Sequence, residues 1–156
     1  MRSMNKTEVF MNIQIKLLTE TARLPKRATE GSAGYDLCAD IKEPITIPRG
    51  EIFPVPTGVC IELPHKNLVA VVCARSGLAI KHGISLANGV GIIDSDYRGE
   101  IKVGLINLGG ADFEIAPGER IAQLLIMPVE TPELVVTDEV SETERGSGGF
   151  GSTGKS

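Results

Sequence analysis

Residues 13–17 read Ile-Gln-Ile-Lys-Leu, with an apolar side chain at every second position. Strict alternation of this kind is typical of a β-strand that buries one face and exposes the other. Aliphatic and β-branched runs recur at residues 45–47, 55–63, 68–73, 100–108, 121–129 and 134–136. Turn signals such as Pro48-Arg49-Gly50 and Pro117-Gly118 separate them. Many short strands at this spacing predict an all-β protein, built as an antiparallel sandwich or barrel.

Only one segment has a helical pattern. Residues 76–81 are expected to form a short helix, with Ser76 as its N-cap and Gly83 just past its end. At about 150 residues per domain, a chain of this length corresponds to one domain. Residues 1–10 lack a pattern, so we expect them to be disordered. We expect residues 11–140 to form a single β domain and the polar, glycine-rich residues 141–156 to form a flexible C-terminal arm.

Composition excludes several classes of protein. Hydrophobic residues make up 42% of the chain and aromatic residues 4%, which predicts an aliphatic core. No apolar run approaches the roughly 18 residues that cross a bilayer, and no export signal is recognisable. We therefore expect a cytoplasmic protein without a membrane partner. The three cysteines lack paired metal spacing, so we interpret Cys38, Cys60 and Cys73 as reduced core residues.

The net charge of −4 is unevenly distributed. Residues 128–144 contain six acidic groups and no Lys or Arg, whereas the other residues carry 16 basic and 14 acidic groups, a net of +2. A nucleic-acid-binding protein would show a basic stripe, and none is visible. Binding of a small anion by a few arginines remains a possible function.

Five stretches are more specific than packing requires. They read AGYDL at 33–37, ARSGL at 74–78, NGVGIIDSDYRG at 88–99, PGERIAQ at 117–123 and RGSGGFGSTG at 145–154. These stretches contain three arginines with glycine or serine one or two residues away: Arg75, Arg120 and Arg145. Arginine binds phosphate oxygens in a bidentate manner, and small neighbours let backbone N–H groups approach the same anion. Ser76 adds a hydroxyl. Each arginine alone also fits a solvated surface residue.

Two carboxylates, Asp94 and Asp96, come just before Tyr97. Asp, Ser and Gly favour turns, so one interpretation is a plain hairpin turn. The other interpretation makes one carboxylate a general base that activates water against a bound phosphate. Tyr97 then stacks on a flat or sugar-like group, or it belongs to the core.

The C-terminal residues 149–156 match the G-x-x-x-x-G-K-[ST] pattern of a Walker A loop. Such a loop works only where a helix follows directly, and only two residues follow Gly154. We therefore expect no nucleotide-switch ATPase or GTPase. A glycine-rich arm that closes over a phosphate ligand uses the same backbone amides without that fold.

Taken together, in order and spacing, the five stretches resemble the trimeric dUTP diphosphatases (dUTPases) from residue 33 to residue 154. The resemblance implies a jelly-roll-like subunit in a homotrimer with active sites at the subunit interfaces. It implies hydrolysis of dUTP to dUMP and pyrophosphate by water attack on the α-phosphorus, which keeps uracil out of DNA and supplies dUMP for dTMP synthesis. It also implies Mg²⁺ held mainly by the substrate phosphates, with no direct protein ligand.

The resemblance further implies residue roles. Asp94 matches the general base, Tyr97 the ring beneath the deoxyribose and Asn88 the reader of the uracil edge. The second and fourth stretches match the phosphate-binding motifs of the family. Asp36 matches an acid that organises the site without touching the substrate. The residues that match phosphate-binding positions are Arg75, Ser76, Gly77, Arg120 and Gln123. Ser76 and Gln123 are also expected to take part in catalysis. In the arm, Arg145 matches a γ-phosphate ligand and Phe150 a ring stacked over uracil, with Gly151 and Ser152 also binding substrate.

Two other functions compete with this one. A dCTP deaminase resembles the same fold, but its catalytic glutamate would fall at Gly104, which argues against deamination. A non-catalytic β-sandwich interaction protein would not need Asp94 beside Tyr97, nor an arginine-containing arm.

Overall fold

A computed structural model describes residues 11–149 of the chain. The expectation of disorder for residues 1–10 and the roles expected of Phe150, Gly151 and Ser152 lie outside the described residues. The described part contains eleven strands and one short helix. The strands are β1 (Gln14–Leu17), β2 (Tyr35–Cys38), β3 (Ile45–Ile47), β4 (Ile52–Pro56), β5 (Val59–Glu62), β6 (Leu68–Ala74), β7 (Ile84–Leu86), β8 (Gly91–Ile93), β9 (Lys102–Asn107), β10 (Phe113–Ile115) and β11 (Arg120–Pro128), and the helix is α1 (Ser76–His82). The prediction of an all-β fold with one helix is confirmed.

Every strand pair is antiparallel. The largest sheet has the order β2-β11-β6-β8, and a three-stranded sheet has the order β4-β9-β7. Two further pairs, β1-β5 and β10-β3, complete the described strands. Neighbours in this order come from distant parts of the sequence, so the sheets bring separate sequence segments side by side.

The core is aliphatic, as the composition predicts. Its most deeply buried side chains come from both larger sheets and from the shorter pairs: Leu37, Ile47, Val55, Val59, Ile84, Ile101, Val103, Leu105, Ile115 and Ile121. The two buried polar residues of the described part both have hydrogen-bond partners. Thr57 Oγ1 donates to the Ile101 carbonyl at 2.6 Å, and Asn107 Nδ2 donates to the Ile47 carbonyl at 2.9 Å. Burial of these groups therefore leaves no unpaired side-chain donor.

The structure corrects several strand predictions. Residues 55–63 are two strands instead of one, because the chain turns at Gly58, whose φ of 65° favours glycine. Residues 134–136 form no strand, and their side chains are 78–96% exposed. A strand needs a neighbour for its backbone N–H and C=O groups, and no described strand lies beside this run. The sequence reasoning also missed β2, β7, β8 and β10, which are only three or four residues long.

The helix begins at Ser76 as predicted but ends one residue later, at His82, and its N-cap is not Ser76. Ser76 is its first helical residue, and Arg75, in an extended conformation, is the N-cap. Gly83 ends the helix in the left-handed conformation with φ 72°, as expected. Because β6 ends at Ala74, the helix start lies at the end of a central strand of the largest sheet.

The cysteine interpretation was also too strong. All three thiols are free, but each is half-buried instead of belonging to the core. Cys60 Sγ donates a hydrogen bond to the Arg98 carbonyl at 3.0 Å. Burial raises the pKa of the Cys38 thiol, and the positive charge of the nearby Arg23 opposes that shift. Such a thiol is mostly protonated and weakly nucleophilic near neutral pH.

Candidate active site

Two arginines converge on one carboxylate at the end of the largest sheet. Arg120 Nη1 lies 3.0 Å from Asp36 Oδ2, and Arg75 Nε lies 3.5 Å from Asp36 Oδ1. The Arg75 guanidinium also donates to the Arg120 carbonyl at 2.8 Å. The Asp36 side chain is only 21% exposed, whereas that of Arg120 is 54% exposed. The carboxylate thus holds both guanidinium groups in place and leaves the cluster with a net positive charge.

Strand register explains why these residues meet. Gln123 of β11 is paired with Asp36 of β2 on one side and with Cys73 of β6 on the other. Directly paired residues share one face of a sheet, so the Gln123 amide lies beside the Asp36 carboxylate. Arg120 is the first residue of the same strand β11, and Arg75 follows β6 directly.

Gln123 is held in a fixed orientation. Its Nε2 donates to the Ala74 carbonyl at 3.0 Å. A Cβ at Gly34 would lie 2.7 Å from Gln123 Oε1 and 3.2 Å from its Cβ, so any larger residue there would displace the amide. The first stretch therefore needs glycine at this position so that the fourth stretch can keep its geometry.

Ser76 and Gly77 are exposed beside the arginine pair. A Cβ added at Gly77 would meet nothing within 4 Å, and its φ is not positive. No feature of the described fold therefore demands glycine at this position. Glycine at position 77 would, however, allow another molecule to approach the backbone closely.

Asp94 and Tyr97 belong to a second group, whereas Asn88 lies before the other end of β8, where Gly91 is paired with Val72. Asp94 directly follows β8 and is exposed, and its carboxylate has no hydrogen-bond or ion-pair partner among residues 11–149. Asp94 and Tyr97 line a cleft of about 440 Å³. The Tyr97 hydroxyl donates to the Glu100 carbonyl at 2.9 Å, and a Cβ at Gly99 would collide with that hydroxyl. The tyrosine is half-exposed, so it is not the core residue that one interpretation allowed.

The two groups are far apart within one chain. Ile93 is paired with Ala70 of β6, so the next residue, Asp94, lies near Val69, six residues before Arg75. At about 3.3 Å per residue, roughly 20 Å of strand separates Asp94 from Arg75. One subunit therefore does not bring the carboxylate of Asp94 to an anion held by the arginines.

The C-terminal arm makes no described contact with either group. Residues 131–147 are exposed, and Arg145 Nε donates to the nearby Gly148 carbonyl at 2.9 Å. The last described backbone hydrogen bond to the body of the protein joins Val129 to Asn67. Residues 131–149 thus leave the sheet after β11 without a hydrogen bond back to the body of the described subunit.

Sequence reasoning missed three basic residues. A cleft of about 680 Å³ beside Asp36 is lined by four basic and two acidic residues, an excess of two positive charges. Of these lining residues, the sequence analysis named Asp36 and Arg120 as candidate site residues, but it did not name Arg23, Lys26 or Arg27. Their signal was the Lys26-Arg27 pair shortly before the first stretch. The backbone of Lys26 bridges to Asp36, which brings this segment to the site.

No helix of the described residues is both long and apolar enough to cross a membrane. Likewise, residues 11–149 contain no group of three or more His, Cys, Asp or Glu side chains arranged to hold a metal ion. Position 104, where a deaminase glutamate would fall, is a glycine within β9.

Comparisons with known proteins identify one family. The dUTPase family model matches residues 20–154. A deoxyuridine 5'-triphosphate nucleotidohydrolase of Desulfitobacterium hafniense (strain DSM 10664 / DCB-2) is 54% identical over 134 residues, which cover 86% of this chain and 89% of the relative. That of Rickettsia canadensis (strain McKiel) is 58% identical over 131 residues, covering 84% and 88%.

Solved structures share the fold. A mutant dUTPase of Staphylococcus bacteriophage 80alpha with dUpNHpp superposes with a TM-score of 0.84 at 30% identity, covering 92% of this chain and 99% of the phage chain. A mutant dUTPase of phage phi11 of S. aureus, described with a coordinated structural Mg(II) ion, has a TM-score of 0.75 at 25% identity, covering 84% and 99%. The fold is therefore the jelly-roll-like β fold of these enzymes, and the chain belongs to the dUTPase family.

Proposed function

We propose that this chain hydrolyses dUTP to dUMP and pyrophosphate by attack of water on the α-phosphorus. The observation that carries the proposal is the pair of guanidinium groups that Asp36 holds together at the end of three neighbouring strands. Fixed positive charge is what a transferring phosphoryl group requires, because negative charge is spread over its oxygens in the transition state. In a chain of the dUTPase family, the anion is the triphosphate of dUTP.

The phosphate side consists of residues on and beside the largest sheet. Arg75 and Arg120 bind phosphate oxygens, and Asp36 orients both arginines without touching the substrate. The Ser76 hydroxyl and the open backbone at Gly77 contact the region of the α and β phosphates. Gln123 supports the phosphates and nearby water, since its Oε1 stays available as an acceptor while Nε2 is bound to Ala74.

The nucleoside side consists of the third stretch. Asp94 takes a proton from the attacking water, a role that its exposed and unpaired carboxylate allows. The Tyr97 ring packs under the deoxyribose and leaves no room for a 2′-hydroxyl. Asn88 reads the uracil edge by hydrogen bonds that the amino group of cytosine cannot satisfy, and unpaired buried polar groups discriminate strongly.

The active enzyme is a homotrimer whose sites lie between subunits. Roughly 20 Å of strand separates Asp94 from Arg75 within one chain, a distance that no single α-phosphate bridges. Closed rotational symmetry brings the third stretch of one copy to the phosphate side of the next and repeats the contact three times. A subunit interface therefore completes the catalytic group.

The C-terminal arm closes over the bound substrate. Arg145 binds the γ-phosphate, Phe150 stacks over uracil, and Gly151 and Ser152 add contacts to the substrate. The exposure of residues 131–147 and the lack of described contacts to the body support an arm that is held by substrate. Closure excludes water and completes the positive charge around the phosphates.

The donor set fits Mg²⁺ that is carried by the triphosphate. Mg²⁺ in nucleotide sites binds through one or two carboxylates, substrate phosphates and several waters, so a protein cage of three or more ligands is not needed. Gln123 Oε1, which has no donor among the described residues, would accept a hydrogen bond from a water of that shell. When bound, the ion neutralises charge on the phosphates.

Two consequences follow for the cell. Hydrolysis of dUTP keeps uracil out of DNA and supplies dUMP for dTMP synthesis. A cytoplasmic location, with neither a nucleic acid nor a membrane as partner, stays a prediction.

A nucleotide panel tests this function. Pyrophosphate release should be measured with dUTP, dCTP, dTTP and UTP in the presence of Mg²⁺, together with ammonia release from dCTP. We expect pyrophosphate from dUTP alone. Ammonia from dCTP would identify a deaminase instead, and no product from any nucleotide would favour the non-catalytic interaction protein.

A further inference from the structure

The loop that carries Asp94 and Tyr97 is long and weakly held by its own backbone. It runs from Asp94 to Ile101 between β8 and β9, outside the strand ladders. Within it, the described backbone hydrogen bond from the Tyr97 N–H to the Asp94 carbonyl, 3.1 Å long, closes a single turn. The position of the loop must therefore depend on side chains.

Arg98 ties this loop to a neighbouring strand. Its Nη1 donates to the Ser95 carbonyl at 2.8 Å and to the Tyr97 carbonyl at 3.1 Å. Its Nη2 lies 3.6 Å from Glu62 Oε1 on β5. One guanidinium thus joins two carbonyls of the loop to a carboxylate outside it, which only a planar fork with several donors can do.

The same strand also holds the backbone of Arg98. Cys60 Sγ donates to the Arg98 carbonyl at 3.0 Å. Cys60 and Glu62 are two residues apart on β5 and therefore face the same side. Both ends of Arg98, its backbone and its side chain, are fixed by one face of one strand.

The far end of the loop is fixed independently. The Ile101 N–H donates to the Val59 carbonyl at 2.8 Å, and the Gly58 N–H donates to Glu100 Oε1 at 2.9 Å. These contacts hold residues 100–101, and the Tyr97 hydroxyl reaches them through its 2.9 Å hydrogen bond to the Glu100 carbonyl. The backbone carbonyls of Ser95 and Tyr97, in contrast, are joined to β5 through Arg98.

We propose that Arg98, oriented by Glu62, is a positioning residue that sets where Asp94 and Tyr97 stand relative to the bound nucleotide, without touching the nucleotide itself. The inference rests on the proposed function. Loss of Arg98 frees the backbone from Ser95 to Tyr97, so the turn that begins at Asp94 and the ring that faces the sugar shift, although the Tyr97 hydroxyl keeps its bond to the Glu100 carbonyl. A shift of about 1 Å in such groups can lower a rate about a hundredfold.

The test compares Arg98→Ala, Arg98→Lys and Glu62→Gln with Arg49→Ala, which removes an exposed arginine distant in sequence from the site. We expect Arg98→Ala to lower kcat for dUTP at least about tenfold while KM changes less than about threefold. The preference for dUTP over UTP should fall as well, because Tyr97 moves. Arg98→Lys should recover little, since one ammonium does not span both carbonyls, and Glu62→Gln should be intermediate.

Thermal unfolding and oligomer size should stay as in the wild type, because the pair is about half-exposed and such ion pairs stabilise a fold little. Unchanged kcat and unchanged selectivity in Arg98→Ala would overturn the inference. So would a rate loss that comes with a lowered unfolding midpoint or a dissociated oligomer, since Arg98 would then be merely structural. A wild type that fails to hydrolyse dUTP would refute the proposed function itself, which is a separate result.

Discussion

Two inactive variants should restore each other when they are mixed. Arg75→Ala removes a guanidinium that we propose binds phosphate, and Asp94→Asn removes the carboxylate that we propose is the base but keeps the shape of the side chain. Within one chain these positions are roughly 20 Å apart along β6. If each site takes its arginine from one subunit and its base from the next, a mixed trimer contains some sites with both groups intact.

The size of the effect follows from the symmetry. In a random one-to-one mixture, a site is intact when its phosphate side comes from the Asp94→Asn chain and its third stretch from the Arg75→Ala chain. Each condition holds for half of the sites, so about a quarter of the sites should be active. A site built within one chain would give no intact sites at all.

The assay is pyrophosphate release from dUTP after the two variants are unfolded, mixed and refolded together. The matched control mixes Arg75→Ala with Arg120→Ala, two variants of the phosphate side, for which no arrangement of subunits makes an intact site. Activity of the first mixture no higher than the mean of its two components would refute a shared site. The base and the arginines would then act within one subunit.

Three further predictions concern single features. Asp94→Asn should lower turnover of dUTP by about 10²–10⁴-fold with nearly normal dUTP binding by calorimetry, and retention of more than about a tenth of the activity would argue against a general base. A chain cut after Glu144 should keep its unfolding midpoint and oligomer size, because the last strand of the described residues ends at Pro128, but should lose most of its turnover; a near-normal rate would make the arm an inert tail. The folded state raises the pKa of the Cys38 thiol, so folding favours the protonated thiol. The contribution of this group to stability is therefore full below the ordinary thiol pKa and is lost as the pH rises through the raised pKa. Iodoacetamide labelling of Cys38, followed by mass spectrometry, should therefore reach half its maximal rate at a higher pH in the folded than in the denatured chain, and equal midpoints would contradict this explanation.

The strand pattern and the residue types of the site could be read from the sequence because they are local properties. Alternation at residues 13–17 reports which side chains face a core, and Gly83 marks a helix end because it tolerates positive φ. The same local reasoning failed at residues 134–136, where an apolar run forms no strand. Apolar, β-branched composition is shared by paired and unpaired segments, so a run of this kind does not reveal whether a partner strand exists.

Which candidate site residues meet was decided only by the tertiary structure. Asp36 and Arg120 are 84 residues apart, and they form an ion pair because β11 lies between β2 and β6. The order of strands in a sheet depends on long-range pairing and on burial of the whole core, which no short stretch encodes. For the same reason, motifs that are close in sequence, Arg75 and Asp94, lie at opposite ends of β6, because antiparallel pairing with β8 carries the chain back along that strand.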